Sequence, residues 1–391
     1  MHPKNIYNKE PNFGQLAKEF PSFKSYVQSD SKGRYYIDFK NASAVKELCV
    51  CLLKKDFDLQ VDFPLDTLCP AIPNRLNYIL WLEDLMHDTW PKDQPIHGID
   101  IGIGASCIYP LLGCATHPDW SFLGTEIEER SLESAKANVE HNQLTERIKI
   151  HHTLDPKRIF PDLDPSISYA FCMCNPPFYR DQKEIEEGAI NKQLEPSAVC
   201  TGATHEMVTE GGEAGFIGRM ILESLVLKKK IRWYTSMVGL KRTLRPLIRL
   251  LHDHGITNYT VTRFDQGKTV RWALGWSFYP EPPQTAYQLS AWRPVYQFGT
   301  QLPKPSLFVI ESLIAILEDL AIEYEPHKEE EEDESYWMAT CTATINTWSR
   351  QARRMMKKKQ KITTTLEQPF VFCFDISPVS QDRSICQIRC E

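Results

Sequence analysis

Between about residues 66 and 285 the chain alternates between short apolar runs of strand character and longer stretches with apolar positions at helical spacing. Leu76 to Met86 predicts a helix and Ile96 to Ile101 a strand. Trp120 to Thr125 predicts a second strand, followed by a helix over Glu129 to Asn142 in which Ala135, Ala137 and Val139 favour the helical state. Ile148 to His151 and Tyr169 to Cys174 read as further strands, the last apolar throughout. Phe216 to Leu227 reads as a helix, Ile231 to Met237 as a strand, and Leu244 to His252 as a helix with Gly255 at its C-terminal cap. Tyr259 to Phe264 and Thr269 to Phe278 complete the series as two strands joined by Asp265-Gln266-Gly267-Lys268, a hairpin signal. Alternation of this kind predicts an α/β domain, a parallel sheet covered by helices, with a closing antiparallel hairpin at one edge.

The flanks differ. Residues 1–65 are polar and mixed, with lysines and aromatic rings interleaved and a helix expected from Ala42 to Lys55 under an Asn41 cap. Two readings stand side by side: a helical module packed on the larger domain, or a basic-aromatic module that contacts RNA. After the main domain at 66–285, prolines mark 286–304 as a linker, and 305–391 reads as a small α/β accessory region. There Leu307 to Leu320 is apolar, Glu329 to Glu334 is acidic, and Ile345 to Lys361 predicts a strongly basic helix.

Composition narrows this picture. The 391 residues exceed one typical domain, and 42% apolar content is ordinary for a folded chain. A net charge of −6 means that any nucleic-acid contact comes from local patches. Cys49, Cys51, Cys107, Cys172 and Cys174 sit within apolar runs, as small core residues in a reducing compartment do. No Cys-x-x-Cys pair or zinc-type spacing occurs, so no metal is expected. The N-terminus lacks the apolar core of a signal peptide, and no run is long enough to span a bilayer, so a soluble intracellular protein is expected.

Two motifs carry chemistry. Asp100-Ile101-Gly102-Ile103-Gly104-Ala105-Ser106 follows the first strand of the sheet, where open α/β sheets bind ligands and glycines admit a close approach. Position 107 is Cys, so the dinucleotide fingerprint is absent. Glu126, at the end of the second strand, is placed to accept ribose hydroxyls, and Ser106 to cap the following helix or touch the methionine end of a cofactor. Arg75 is a candidate partner for a methionine carboxylate. The second motif is Asn175-Pro176-Pro177-Phe178, after the strand Tyr169 to Cys174. The Asn175 amide oxygen and the Pro176 carbonyl can accept both hydrogens of a planar amine, the prolines stiffen the loop, and Phe178 can stack on a ring. Together the motifs point to an N-methyltransferase dependent on S-adenosylmethionine. They leave adenine N6, guanine N2 and protein glutamine amides open.

A long polar stretch from 180 to 215 is a candidate gate. Next come Lys228, Lys229, Lys230, Arg232, Lys241, Arg242, Arg245 and Arg249, with no acidic residue from 226 to 250. Such an asymmetry suits a phosphate backbone. A catalytically inactive RNA-binding protein on the same scaffold is the third reading, and the intact glycine loop, Glu126 and Asn175 argue against it.

With Arg75-Leu76-Asn77-Tyr78, Ile99 to Gly102, Gly104 to Gly113, Phe171 to Phe178 and Arg271-Trp272-Ala273-Leu274 in view, the chain resembles the methyltransferase-like protein 16 family of U6 small nuclear RNA adenine-N6 methyltransferases. The likeness covers residues 1 to 280 and becomes diffuse beyond 300. It implies a Rossmann-like class I methyltransferase sheet with an N-terminal RNA-binding module. It also implies S-adenosylmethionine as cofactor, and as partner a structured RNA, U6 or an S-adenosylmethionine synthetase mRNA hairpin, methylated in a sequence like UACAGAGAA. By position it makes Arg75, Gly102, Ser106, Glu126 and Asn175 cofactor contacts, gives Asn175 to Phe178 the adenine, and places a further contact around Thr153 to Lys157. Nuclear residence follows, with the cytoplasm as second compartment. Residues 305–391 would be a reduced RNA-binding domain. Ile103 departs from the small polar residue expected between the two glycines.

Overall fold

The N-terminal residues are built first as α1 (Phe13–Glu19), α2 (Pro21–Lys24), a hairpin of β1 (Val27–Ser29) and β2 (Tyr35–Ile37), and α3 (Ala42–Phe57). Asn41 opens α3 as predicted, its side-chain oxygen accepting the N–H groups of Ser43 and Ala44. In this computed structural model the described residues are 1–155, 158–181, 202, 204–266, 269–283, 296–326, 337–347, 352, 365–380 and 382–390. The chain divides into two units, Met1–Leu289 and Ser290–Glu391.

In the first unit, α4 (Ile72–Thr89) leads into β3 (Ile96–Ile101), α5 (Ile108–Thr116), β4 (Trp120–Glu126), α6 (Glu129–His141), β5 (Ile148–His152) and β6 (Tyr169–Cys174). A short α7 (Thr204–Met207) and α8 (Gly212–Leu227) precede β7 (Ile231–Val238), α9 (Lys241–Asp253), β8 (Asn258–Gln266) and β9 (Thr269–Ser277). The strands form one seven-stranded sheet in the order β5-β4-β3-β6-β7-β9-β8. The five from β5 to β7 run parallel; β9 pairs antiparallel with both β7 and β8, giving the closing hairpin. Its turn residues Gly267 and Lys268 lie outside the described residues. Strand order reverses between β3 and β6, so the crevice at their carboxyl ends is where this topology places a ligand.

Helices start earlier than the apolar pattern indicates: α4 at Ile72, α8 at Gly212 and α9 at Lys241. Their first turns carry Pro, Gly, Lys or Arg, which have no apolar face to show. Gly255 follows the end of α9 in the left-handed region (φ +72) and donates to the His252 carbonyl, as expected of a capping glycine. Residues 1–65 are not a separate body. Tyr7, Leu16, Phe23 and Leu53 are buried in the same core as Tyr78, Trp81, Leu111 and Phe171. The appendage packs because each such side chain gains about 1.5–3 kcal/mol on burial.

The second unit is a five-stranded antiparallel sheet in the order β10-β14-β13-β12-β11, with the helix α10 (Ser306–Asp319) packed on it. Its strands are β10 (Tyr296–Leu302), β11 (Glu323–Pro326), β12 (Trp337–Ile345), β13 (Thr365–Ser380) and β14 (Arg383–Cys390). Two expectations need correction. Tyr296–Leu302 is an edge strand paired to β14, not linker, because alternating Tyr296, Phe298 and Thr300 suit a strand despite the prolines around it. Ile345 ends β12 and does not begin a helix. The rest of the basic segment lies largely outside the described residues, as does the acidic run at 329–334. No helix among the described residues is long and apolar enough to cross a membrane.

Candidate active site

The glycine loop and the Asn-Pro-Pro-Phe motif meet at the crevice. Gly102 and Gly104 take φ +72 and +61, a region other residues enter only with strain, and Cys107 follows at φ 51 to start α5. Ser106 does not cap that helix: α5 begins at Ile108 under Cys107, which makes no side-chain cap bond. Ser106 is instead buried against the cleft. Ile103 turns its side chain onto Gly124 of β4, where the missing Cβ leaves room.

Glu126 is tied to this loop. Its Oε2 accepts the Gly104 N–H at 2.9 Å, and its Oε1 accepts those of Ile127 and Glu128 at 2.8 and 3.0 Å. Oε1 is therefore filled, and acceptor capacity toward the cleft remains on Oε2 alone. Thr153, Ile127 and Ile159 line the same side, and the Thr153 hydroxyl is buried without a partner. Thr153 lies in the stretch where a further cofactor contact was expected. Pro156 and Lys157 lie outside the described residues.

Arg75 lines the cleft, and Asp100, on β3 just before the lining residues Ile101 and Gly102, is buried close to it. Arg75 donates from Nη1 to the Tyr109 hydroxyl at 2.9 Å, its guanidinium lies 5.3 Å from the Tyr109 ring centre, and its Nε has no partner. Burial pushes the Tyr109 hydroxyl up to about 12, with the Arg75 charge opposing. Asp100 is fully buried and neither carboxylate oxygen has a donor; burial holds its carboxyl well above the usual range, the nearby Arg75 charge pulling it back. Sequence placed Arg75 here but gave Asp100 no role, since an acidic residue at a strand end carries no sign of what it faces.

Opposite, Tyr78 positions the motif. Its hydroxyl lies 2.8 Å from Thr235 Oγ1 and takes the Cys174 N–H at 3.4 Å, at the last residue of β6. Asn175 Oδ1 then projects into a buried position with no donor among the described residues. Pro176 is buried, and Pro177 lines the cleft. The Arg271 guanidinium lies 5.8 Å from the Phe178 ring centre. After Phe178, Tyr179 bonds to both Met207 and Thr209 in a parallel bridge, so the ends of the 180–215 segment are tied beside the site. From that segment Glu206 accepts the Leu68 N–H at 2.9 Å and lines the cleft near Gly104. Residues 182–201 and 203 lie outside the described residues, so the gate expected there is described only at its ends.

The cationic segment does not form one patch. Lys228, Lys229, Lys230 and Arg232 lie at the amino end of β7, whereas Lys241, Arg242, Arg245 and Arg249 lie on α9, which starts just past its carboxyl end. β7 spans eight residues, about 26 Å at the usual rise, so Lys241 and Arg242 sit at the opposite end from Lys228 to Arg232, while α9 runs back until His254 shares a pocket with Lys228 and Lys229. Arg232 is also committed: it pairs with Glu281 at 3.2 Å and stacks 4.0 Å over the Tyr279 ring. The α9 cations are exposed, while Leu244, Leu247, Ile248 and Leu251 bury the other face. Lys241 lies 5.4 Å over the Trp272 ring, next to Arg271, so the α9 group borders the Phe178 side of the site.

A parallel sheet in this order, with a glycine loop at one side of its switch point and Asn-Pro-Pro-Phe at the other, defines a Rossmann-like class I methyltransferase. The chain belongs to the RNA methyltransferase family, whose model matches residues 1–280. It is 40% identical over 374 residues to the human RNA N(6)-adenosine-methyltransferase METTL16, a match spanning 92% of this chain and 63% of that protein. It is 40% identical over 339 residues to the U6 small nuclear RNA (adenine-(43)-N(6))-methyltransferase of Schizosaccharomyces pombe, covering 84% of each. Among solved structures it is similar to the METTL16 catalytic domain in complex with MAT2A 3′UTR hairpin 1 (TM-score 0.67, 44% identity, 73% of this chain and 99% of that one). It is also similar to the N-terminal domain of human METTL16 in complex with SAH (TM-score 0.60, 43% identity, 71% and 99%).

Proposed function

We propose that this chain methylates the N6 amine of an adenosine in a structured RNA, with S-adenosylmethionine as methyl donor and U6 small nuclear RNA as the leading target. The observation that carries this reading is Asn175 Oδ1: a buried amide oxygen without a donor, on a residue that lines the same cleft as the glycine loop. Leaving such an acceptor unpaired costs about 1–3 kcal/mol, which an arriving amine N–H recovers.

The residues fit the cofactor. Arg75 Nε and the Asp100 carboxyl, both lacking partners, suit the carboxylate and ammonium of a methionine end, the ammonium favouring the ionised form of Asp100. Glu126 Oε2 accepts a ribose hydroxyl, with Gly102 and Ser106 beside it, and Thr153, Ile127 and Ile159 face an adenine ring. When bound, the cofactor supplies an electrophilic methyl group on sulfur. The protein's part is alignment. Asn175 Oδ1 and the Pro176 carbonyl accept the two amine hydrogens and orient the nitrogen, whose lone pair is otherwise delocalised into the ring. Pro176 and Pro177 hold that geometry without ordering at the moment of reaction. Phe178 stacks on the base, with Arg271 over its ring. Asn175 is neutral and accepts without taking the proton, which departs after methyl transfer.

The α9 cations bordering Phe178 favour RNA over a protein glutamine as substrate. The MAT2A hairpin in the METTL16 complex makes such hairpins the second RNA to test. The deciding assay offers the purified chain labelled cofactor with U6 RNA, a hairpin RNA and total protein. Label in RNA that digests to N6-methyladenosine supports the reading; label in protein alone ends it. Residence in the nucleus, where U6 RNA acts, follows as a further expectation for fluorescence microscopy.

A further inference from the structure

α9 opens against local preference. Its first turn carries Lys241 and Arg242 and no acidic residue, although cations are disfavoured at the positive end of a helix. Its N-cap residue, Leu240, supplies no side-chain cap. The missing carboxylate comes from another helix. Glu213, in the first turn of α8, is buried, and its Oε1 accepts the Gly239 N–H, two residues before α9. Glu213 Oε2 is buried without a partner.

The same contact underlies the base platform. A Cβ placed on Gly239 would come within 2.9 Å of Phe178 Cδ1 and 3.0 Å of Glu213 Oε1. Phe178 and the Glu213 carboxyl therefore both crowd the space where a side chain at position 239 would begin. A Cβ on Gly212, next to Glu213, would come within 2.8 Å of Arg180 Cγ and 3.6 Å of the Tyr179 carbonyl carbon. The start of α8 thus braces the chain just after Phe178 while its carboxyl holds the turn beneath the ring.

We infer that Glu213 is a positioning residue: it fixes the Gly239 turn so that Phe178 presents its ring, and the first turn of α9 its cations, in one geometry for the target nucleotide. This rests on the methyltransferase reading and concerns a residue that touches neither cofactor nor base. Displacement of a stacking group by about 1 Å is enough to lower turnover up to a hundredfold.

The test uses the full chain, a U6-type RNA with 2-aminopurine in place of the target adenosine, and unmodified RNA for kinetics. Glu213→Ala should lower kcat ten- to a hundredfold and weaken the stacking-dependent quenching of 2-aminopurine. Affinity for S-adenosylhomocysteine, measured calorimetrically, should stay within twofold. Glu213→Gln keeps an acceptor for Gly239 and should restore kcat to within about threefold. Gly239→Ala, which pushes on Phe178 from below, should reproduce the Ala variant's signature and decides the matter if Glu213→Ala does not fold. Unchanged kcat and quenching in Gly239→Ala and in any folded Glu213→Ala overturn the inference. So does a parallel loss of S-adenosylhomocysteine affinity, which marks general disruption. Failure of the unsubstituted chain to methylate RNA instead sinks the methyltransferase reading, a separate result.

Discussion

Arg75, which lines the cleft, and the fully buried Asp100 do not pair with each other: the arginine turns Nη1 to Tyr109 while both Asp100 oxygens go without a donor. Buried charges ordinarily neutralise one another. Here burial instead favours the protonated Asp100 carboxyl, and the ammonium of a ligand whose carboxylate meets Arg75 would draw it into its charged form. Asp100→Asn should then weaken binding of S-adenosylhomocysteine at least tenfold while leaving the apo protein as stable or more so. Calorimetry and thermal unfolding separate these effects, and undiminished affinity would remove Asp100 from the cofactor site.

A pH dependence follows from the same carboxyl. Its folded value is raised by burial, so the folded state holds a proton that the unfolded chain releases above about 4. The stability this contributes is complete at lower pH and is lost as pH rises toward the raised value. Apo stability should fall over that interval, and S-adenosylhomocysteine, bringing an ammonium group, should recover more of it at pH 8 than at pH 5. In Asp100→Asn both trends should flatten.

Asn175→Ala should reduce kcat at least a hundredfold, about 3 kcal/mol, because the amine loses its acceptor in the transition state. RNA affinity, followed by fluorescence anisotropy, should change less than threefold. A loss of affinity as large as the loss of turnover would contradict the role given to this side chain.

Tyr109→Phe removes the hydroxyl that holds Arg75 Nη1. One hydrogen bond to a charged group is worth about 1.5–3 kcal/mol. S-adenosylhomocysteine affinity should fall roughly ten- to a hundredfold with RNA affinity unaltered. Equal losses for both ligands would show that Tyr109 supports the fold at large.

Charge reversal at Arg242 and Arg245 should weaken RNA binding and reduce the slope of log affinity against log salt by about one for each phosphate contact removed. Reversal at Lys228 and Lys229, at the opposite end of β7, should leave affinity within about twofold. Equal effects from the two pairs would put RNA on both ends of the sheet.

Much of this protein was legible in one dimension. Apolar period and turn residues located β3, β6 and the closing hairpin, because burial on a sheet imposes a pattern on each strand by itself. The glycines at 102 and 104 and Asn175 to Phe178 announced themselves, since tight loops and stiff acceptors need particular residue types. What lay hidden depended on which residues meet across the chain. Asp100 buried without a donor, Tyr78 reaching the end of β6, and Glu213 accepting a backbone N–H just before a helix 28 residues away leave no local trace. The run of cations from 228 to 249 read as one surface, yet β7 separates Lys228 to Arg232 from Lys241 and Arg242, and only the first turn of α9 borders the Phe178 side of the site. Residue type and spacing set which chemistry this chain can perform; the tertiary fold decided which charges are stripped of water and partners, because desolvation depends on neighbours distant in sequence.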